Sequence, residues 1–123
     1  DRVDEVELHP LLSEVELRKY CRNNGIQIMA YTSTARLDFR LKTSKRLNSV
    51  CKKYNKSISQ VILRWHIQNN VIPIFNTSTI SHFKDNMDVF NFELDDDSMK
   101  IIDSLNINAR TRYDSDNCEW ECL

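Results

Sequence analysis

The sequence lacks the features that would assign it to several special classes of protein. No apolar run approaches the roughly 18 residues that a membrane span needs, and no N-terminal stretch resembles a signal peptide. Neither an internal repeat nor a low-complexity segment or linker occurs in the 123 residues. The net charge is −1, without the basic excess of a nucleic-acid binder. We therefore expect one globular domain, or part of one, with no membrane and no nucleic-acid partner.

Cysteines are few, and they follow neither a zinc-binding nor a disulfide pattern. Cys21 and Cys51 fall within helical patterns, whereas Cys118 and Cys122 lie near the C-terminus. No C-x-x-C pair is present, so the spacing does not predict a metal site. Reduced thiols are typical of a cytoplasmic protein, which is the location we expect.

What the sequence does contain is an alternation of strand and helix patterns. Strands are predicted at Val3–Leu8, Ile26–Tyr31 and Val71–Phe75, with a loop from Thr32 to Lys42. Such alternation favours parallel pairing with helical crossovers. Three strands make a poor parallel sheet alone, because both faces need covering. Since the first residue is Asp1 and not Met, we expect that an upstream part of the domain is missing.

The helices are predicted from spacing and from capping signals. Ser13-x-x-Glu16 and Ser57-x-x-Gln60 are capping boxes, Asp95 is an N-cap, and Gly25 follows the first helix where a left-handed residue belongs. A further helix is predicted after Ser78 or Thr79. The side chains expected to face inward are Leu17, Tyr20, Cys21, Leu47, Val50, Cys51, Tyr54, Ile58, Val61, Ile62, Trp65, Ile80, Phe83, Met87, Phe90, Met99, Ile102 and Leu105.

Several short motifs, in this order and spacing, resemble the aldo-keto reductase family. They are Val6-Glu7-Leu8-His9-Pro10, Glu16-Leu17-x-x-Tyr20-Cys21, Gly25-Ile26, Ala30-Tyr31, Ser59–His66, Val71-Ile72-Pro73, Asp85-Asn86 and Val89–Leu94. The resemblance runs from about Val3 to Leu105. It is closest in character to bacterial-type reductases of small and sugar-derived carbonyls, such as the diketogluconate reductases.

This resemblance implies an α/β fold, the TIM (β/α)8 barrel, of which the chain would form the C-terminal portion with strands six to eight. Residues 1–105 would then be the partial barrel and residues 106–123 a tail. The family transfers a hydride from NADPH or NADH to an aldehyde or ketone. Its tyrosine acid and the supporting lysine, aspartate and histidine lie on earlier strands. No catalytic residue is therefore assigned here, and the chain alone is expected to be inactive.

The resemblance also implies which residues of this chain would contact the nicotinamide cofactor. Tyr31 matches the tyrosine that stacks on the nicotinamide ring. Glu5 stands where the family usually has a glutamine for the carboxamide, and a carboxylate can only accept hydrogen bonds.

Four further matches concern the other half of the cofactor. Asn76, Thr77 and His82 stand where NADPH-using members have a lysine, a serine or threonine, and an arginine for the 2′-phosphate. Asn86 matches the residue that bonds the adenine. Because Asn76 and His82 are neutral or mostly neutral at pH 7, NADPH is expected to have little advantage over NADH.

Two other functions fit parts of the sequence. Seven basic residues crowd the region from Arg40 to Lys56, and two capped helices there could mimic a DNA-binding helix-turn-helix that reads bases with Gln60, Arg64 and Gln68. A non-catalytic remnant or interaction protein derived from a reductase is the second alternative. An exposed strand edge would then favour self-association.

Overall fold

The computed structural model describes residues 2–74 and 88–111. Within them three parallel strands form one sheet in the order β1, β2, β3. They are β1 (Arg2–Glu7), β2 (Ile26–Tyr31) and β3 (Val71–Pro73). The bounds of β2 were predicted correctly, and those of β1 differ from the prediction by one residue. Phe75, the predicted end of the third strand, lies outside the described residues.

The helices alternate with these strands. They are α1 (Val15–Asn23), a 3-10 turn (Ala35–Leu37), α2 (Phe39–Lys42), α3 (Lys45–Tyr54), α4 (Ile58–Gln68) and α5 (Asp96–Asp103). The segment predicted as a loop therefore contains two short helical turns. The helix predicted after Ser78 falls mostly outside the described residues, and Phe90, its expected last inward residue, is 65% exposed in a bend.

The strand register decides which side chains share a face. Asp4 pairs with Ile28 and Ile28 with Val71, so these residues lie on one face of the sheet. Ile28, Ala30 and Val71 are buried there, and the neighbouring helices α1 and α4 pack on the strands. The buried hydrophobic cluster also includes Leu8, Leu11, Cys21, Ala35, Leu41, Leu47, Val50, Cys51, Val61, Ile62, Trp65, Leu94 and Ile102.

The opposite face of the sheet is open at Val3, Glu5 and Ile72, but at its carboxyl end Glu7 is almost fully buried. Val3 on β1 is 54% exposed, and Ile72 on β3 is 47% exposed. In a parallel sheet both faces are normally covered. The described residues therefore leave apolar side chains uncovered on this face of the sheet.

Two of the predicted helix starts are confirmed. Ser57 Oγ accepts the backbone N–H of Gln60, whose side chain accepts the N–H of Ser57, so both bonds of the capping box form. Asp95 accepts the N–H of Ser98 and caps α5. Gly25, with φ of 66°, follows α1 in the left-handed conformation that glycine adopts most easily.

The capping box predicted at Ser13 is wrong. Glu14 is the residue before α1, it has a left-handed φ of 51°, and no side chain caps the helix. Ser13 instead serves tertiary contacts: its N–H donates to Asn106 Oδ1 and its carbonyl accepts from Arg18 Nε, while its Oγ is buried without a partner. Tyr20, predicted to face inward on α1, is 57% exposed.

The C-terminal described segment, residues 106–111, crosses the connection between β1 and α1. The N–H groups of Ile107 and Ala109 both donate to Leu11 O, at 3.1 and 2.9 Å. Hydrogen bonds between residues this far apart in sequence hold the segment over the carboxyl end of β1. Among the described helices, none is long and apolar enough to span a membrane.

Candidate functional site

The two described residues of the predicted cofactor site lie on the open face of the sheet. Glu5 pairs with Met29 and Glu7 pairs with Tyr31 across β1 and β2, so all four side chains belong to this face. Tyr31 is half-buried and is the last residue of β2, whereas Glu5 is exposed. The sheet therefore brings Tyr31 and Glu5 to the same face of neighbouring strands.

The other four predicted cofactor residues, Asn76, Thr77, His82 and Asn86, lie outside the described residues. Their predicted roles remain predictions from the sequence.

A buried polar cluster lies at the carboxyl end of β1, where Glu7 pairs with Tyr31 of β2. His9 Nε2 lies 2.7 Å from Glu7 Oε2, and the N–H of Thr111 donates to the same oxygen at 2.7 Å. Both Glu7 and His9 are almost fully buried, and Arg110 Nη1 lies 3.9 Å from Glu7 Oε1. No site role was predicted from the sequence for Glu7, His9 or Thr111.

The electrostatics of this pair define its protonation state. Burial raises the pKa of Glu7, but the bonds from Thr111 and His9 outweigh it and hold that pKa below its usual range. Burial lowers the pKa of His9 by more than the Glu7 carboxylate raises it. At neutral pH the pair is thus a carboxylate that accepts a bond from Nε2–H of a neutral imidazole.

A second buried histidine contacts the loop that follows β2. His66, on α4, is fully buried, and its Nε2 lies 2.7 Å from Ser33 O, which accepts the bond. Burial lowers the pKa of His66 to about 4. Ser33 Oγ donates in turn to Ile74 O at 3.0 Å. These bonds fix the loop after Tyr31 to both α4 and the end of β3.

Backbone strain is concentrated in the same loop. Thr32 has a φ of 52°, and Ala35, Arg36 and Leu37 have consecutive values of 54°, 55° and 51°. A left-handed conformation costs an L-residue roughly 1–2 kcal/mol. Strained residues of this kind cluster at binding and active sites, and here they directly follow Tyr31.

One sequence signal could have revealed the buried cluster. Glu7 and His9 are two residues apart at the end of a strand, so an extended chain directs both side chains to the same side. Nothing comparable identified Thr111 or Ser33, because their partners are distant in sequence.

The helix-turn-helix alternative does not fit the packing. A recognition helix must present base-reading side chains at an exposed surface. In α4 the residues Val61, Ile62, Leu63, Trp65 and His66 are all buried. Arg64 Nε donates to Gln68 Oε1, which also accepts the N–H of Leu94, so two of the three predicted base readers hold the fold together.

Fold and site together define a class: a parallel α/β protein with a candidate ligand site at the carboxyl ends of its strands. The model of the aldo/keto reductase family matches residues 2–107, and the chain belongs to this family. Members of this family have the TIM-barrel fold.

Individual relatives agree with this assignment. The chain is 39% identical over 118 residues to the Bacillus subtilis oxidoreductase YtbE, and the match covers 96% of this chain and 41% of the relative. It is 39% identical over 108 residues to the glyoxal reductase of Bacillus subtilis, with 88% of this chain and 38% of the relative covered.

A crystal structure of an aldo-keto reductase complexed with NADPH superposes with a TM-score of 0.79 at 26% identity. That match covers 90% of this chain and 37% of the solved chain. The chain thus spans about two fifths of the length of these proteins.

Proposed function

We propose that the chain supplies the carboxyl-terminal strands of a TIM (β/α)8 barrel and, within it, part of the nicotinamide-cofactor site of an aldehyde or ketone reductase. The position of Tyr31, on the open face at the carboxyl end of β2, carries the proposal. Active sites of TIM barrels lie at the carboxyl ends of the strands. The glyoxal reductase and the NADPH complex among the relatives support the same reading.

The described residues fit a nicotinamide ring. A phenol plane such as that of Tyr31 can cover one face of the ring and leave the other for the substrate. Glu5, exposed on the neighbouring strand, can accept a bond from the carboxamide NH2 group, although it cannot donate to the carboxamide oxygen as a glutamine would. When bound, the cofactor would supply the hydride.

The chain's own contribution is to bind and orient the cofactor. Because no residue matches the family's tyrosine acid, lysine, aspartate or histidine, the chain alone has no proposed proton donor for the reaction. General acid catalysis typically contributes about 10²–10⁴-fold. Completing the barrel with other polypeptide is therefore part of the proposal, and the carbonyl substrate binds only to the completed barrel.

A chimera tests the proposal directly. The segment of the Bacillus subtilis glyoxal reductase that aligns with this chain is replaced by this chain. We expect glyoxal-dependent oxidation of NADPH or NADH by the chimera and none by the chain alone. A well-folded chimera that binds neither cofactor would contradict the proposed function, and activity of the isolated chain would contradict its dependence on the remaining strands.

Tyr31→Ala in that chimera tests the role of the ring. Stacking contributes about 0.5–1.5 kcal/mol beyond area burial, so we expect the dissociation constant of the cofactor to rise about tenfold with little change in melting temperature. Tyr20→Ala, which removes an exposed tyrosine on α1, is the matched control and should change neither value. An unchanged dissociation constant with a large drop in melting temperature would make Tyr31 a structural residue.

A further inference from the structure

A concave site lies at the opposite end of the sheet from Tyr31. It is a cleft of about 100 Å³ between the end of α1, the start of β2 and the turn that leads into β3. Its lining is formed by Arg18, Cys21, Arg22, Ile26, Gln27, Ile28, Asn69, Asn70 and Val71. The amino ends of the strands, where this cleft lies, are remote from the proposed cofactor site.

The charged residues of the lining are both cationic. Arg18 and Arg22 are one helical turn apart on α1, a spacing at which like charges repel. Burial lowers the pKa of Arg18; Asp103 opposes this effect, and the neighbouring Arg22 adds a smaller lowering. No aspartate or glutamate is among the lining residues. An anion in the cleft would relieve this repulsion.

The described residues provide hydrogen-bond partners for only part of these two guanidinium groups. Arg18 donates from Nε to Ser13 O at 2.7 Å, and its guanidinium carbon lies 5.7 Å from the centre of the Trp65 ring. Asp103 is close enough to favour the charge of Arg18, but its carboxylate accepts from Trp65 Nε1 at 2.9 Å. Within residues 2–74 and 88–111, Arg22 makes no ion pair or hydrogen bond through its side chain.

The wall of the cleft opposite the two arginines is held in place by the side-chain amide of Gln27 and by the backbone of the turn before β3. Gln27 Nε2 donates to Asn70 O at 2.8 Å and to Ile28 O at 2.9 Å, which ties the turn before β3 to β2. Asn70 has a left-handed φ of 59° in this turn. Asn70 is exposed and is one of the uncharged polar residues of the lining.

We propose that this cleft binds a phosphate group, with Arg22 and Arg18 as its charged ligands. The planar fork of a guanidinium matches phosphate oxygens in two parallel bonds, and two such groups match the double charge of a phosphate. The small volume fits inorganic phosphate or the phosphate of a small monoester. The site is independent of Tyr31 and of the proposed reductase activity.

Calorimetric titration of the whole chain with inorganic phosphate tests this site, with sodium chloride at equal ionic strength as the reference. We expect saturable phosphate binding and a melting temperature that rises with phosphate but not with chloride. Titration with glycerol phosphate separates a monoester from the free ion: tighter binding would identify an ester as the ligand, and weaker binding would identify inorganic phosphate. Equal effects of phosphate and chloride would overturn the proposal.

Charge-matched variants locate the binding. Arg22→Gln should weaken phosphate binding about tenfold, since a charge-assisted bond is lost. Arg46→Gln removes the same charge from an exposed position on α3 and should leave binding unchanged, as should Tyr31→Ala. Circular dichroism checks that each variant is folded. Equal weakening by Arg22→Gln and Arg46→Gln would show that phosphate binding depends only on net charge. That result would overturn the proposed site.

Discussion

Two buried imidazoles, those of His9 and His66, each have one ring nitrogen engaged and the other, Nδ1, without a partner among the described residues. A buried group of this kind resists protonation, because the charged form would lose hydration. His66 shows the effect most clearly, since its pKa falls to about 4. The consequence is a stability that depends on pH.

The sign of that dependence follows from proton linkage. Between its ordinary value of 6.5 and about 4, unfolded His66 binds a proton that folded His66 does not. Its contribution to stability is therefore fully present above pH 6.5 and is lost as pH falls towards 4, by about 3 kcal/mol in all. His66→Gln keeps a donor for Ser33 O but does not titrate. We expect urea unfolding to show a shallower pH dependence for the variant, and equal slopes would contradict the burial argument.

At the residue scale the sequence predicted Tyr31 as the last residue of a strand, but it did not predict the Glu7–His9 pair. Alternation along a strand is a local property, so it can be read from neighbouring residues. The bond from Thr111 to Glu7 joins residues 104 positions apart. No local pattern encodes that contact.

Capping shows at the element scale how tertiary contacts override local signals. Ser57 and Ser13 begin the same motif in the sequence, and only Ser57 caps a helix. At Ser13 the bonds to Asn106 and Arg18 fix the backbone differently. The two serines therefore make a matched pair for measurement.

We expect Ser57→Ala to reduce the free energy of unfolding by about 1 kcal/mol, the usual value of an N-cap. Ser13→Ala should be neutral or slightly stabilising, because its Oγ is buried without a partner. Denaturant unfolding of both variants provides the measurement. A larger loss at Ser13 than at Ser57 would mean that the predicted capping box does form.

The open sheet governs the behaviour of the whole molecule. Strand β1 has no partner on its outer edge among the described residues, and unpaired edges promote association between chains. Val3 and Ile72 add exposed apolar area on the open face. These features also suit the alternative of an interaction protein derived from a reductase.

We expect the isolated chain to be dimeric or larger in solution. Val3→Lys should shift the population towards monomer, because a charge on an edge strand opposes pairing. Val15→Lys changes a similarly exposed valine on α1 and serves as control. Sedimentation analysis over a range of concentrations gives the masses. A tight monomer with a sharp thermal transition independent of concentration would contradict this expectation.

The sequence by itself determined the order of the elements, the bounds of β2, most of the helices and the family. These depend on periodicity, capping residues and motif spacing, which are properties of short segments. Only the tertiary structure decided that Ser13 does not cap α1 and that Tyr20 faces solvent. It also decided that Glu7 and His9 form a buried pair that Thr111 contacts, and that Arg18 and Arg22 line one cleft. Each of these depends on contacts between distant segments, whose free energy exceeds that of the local preference.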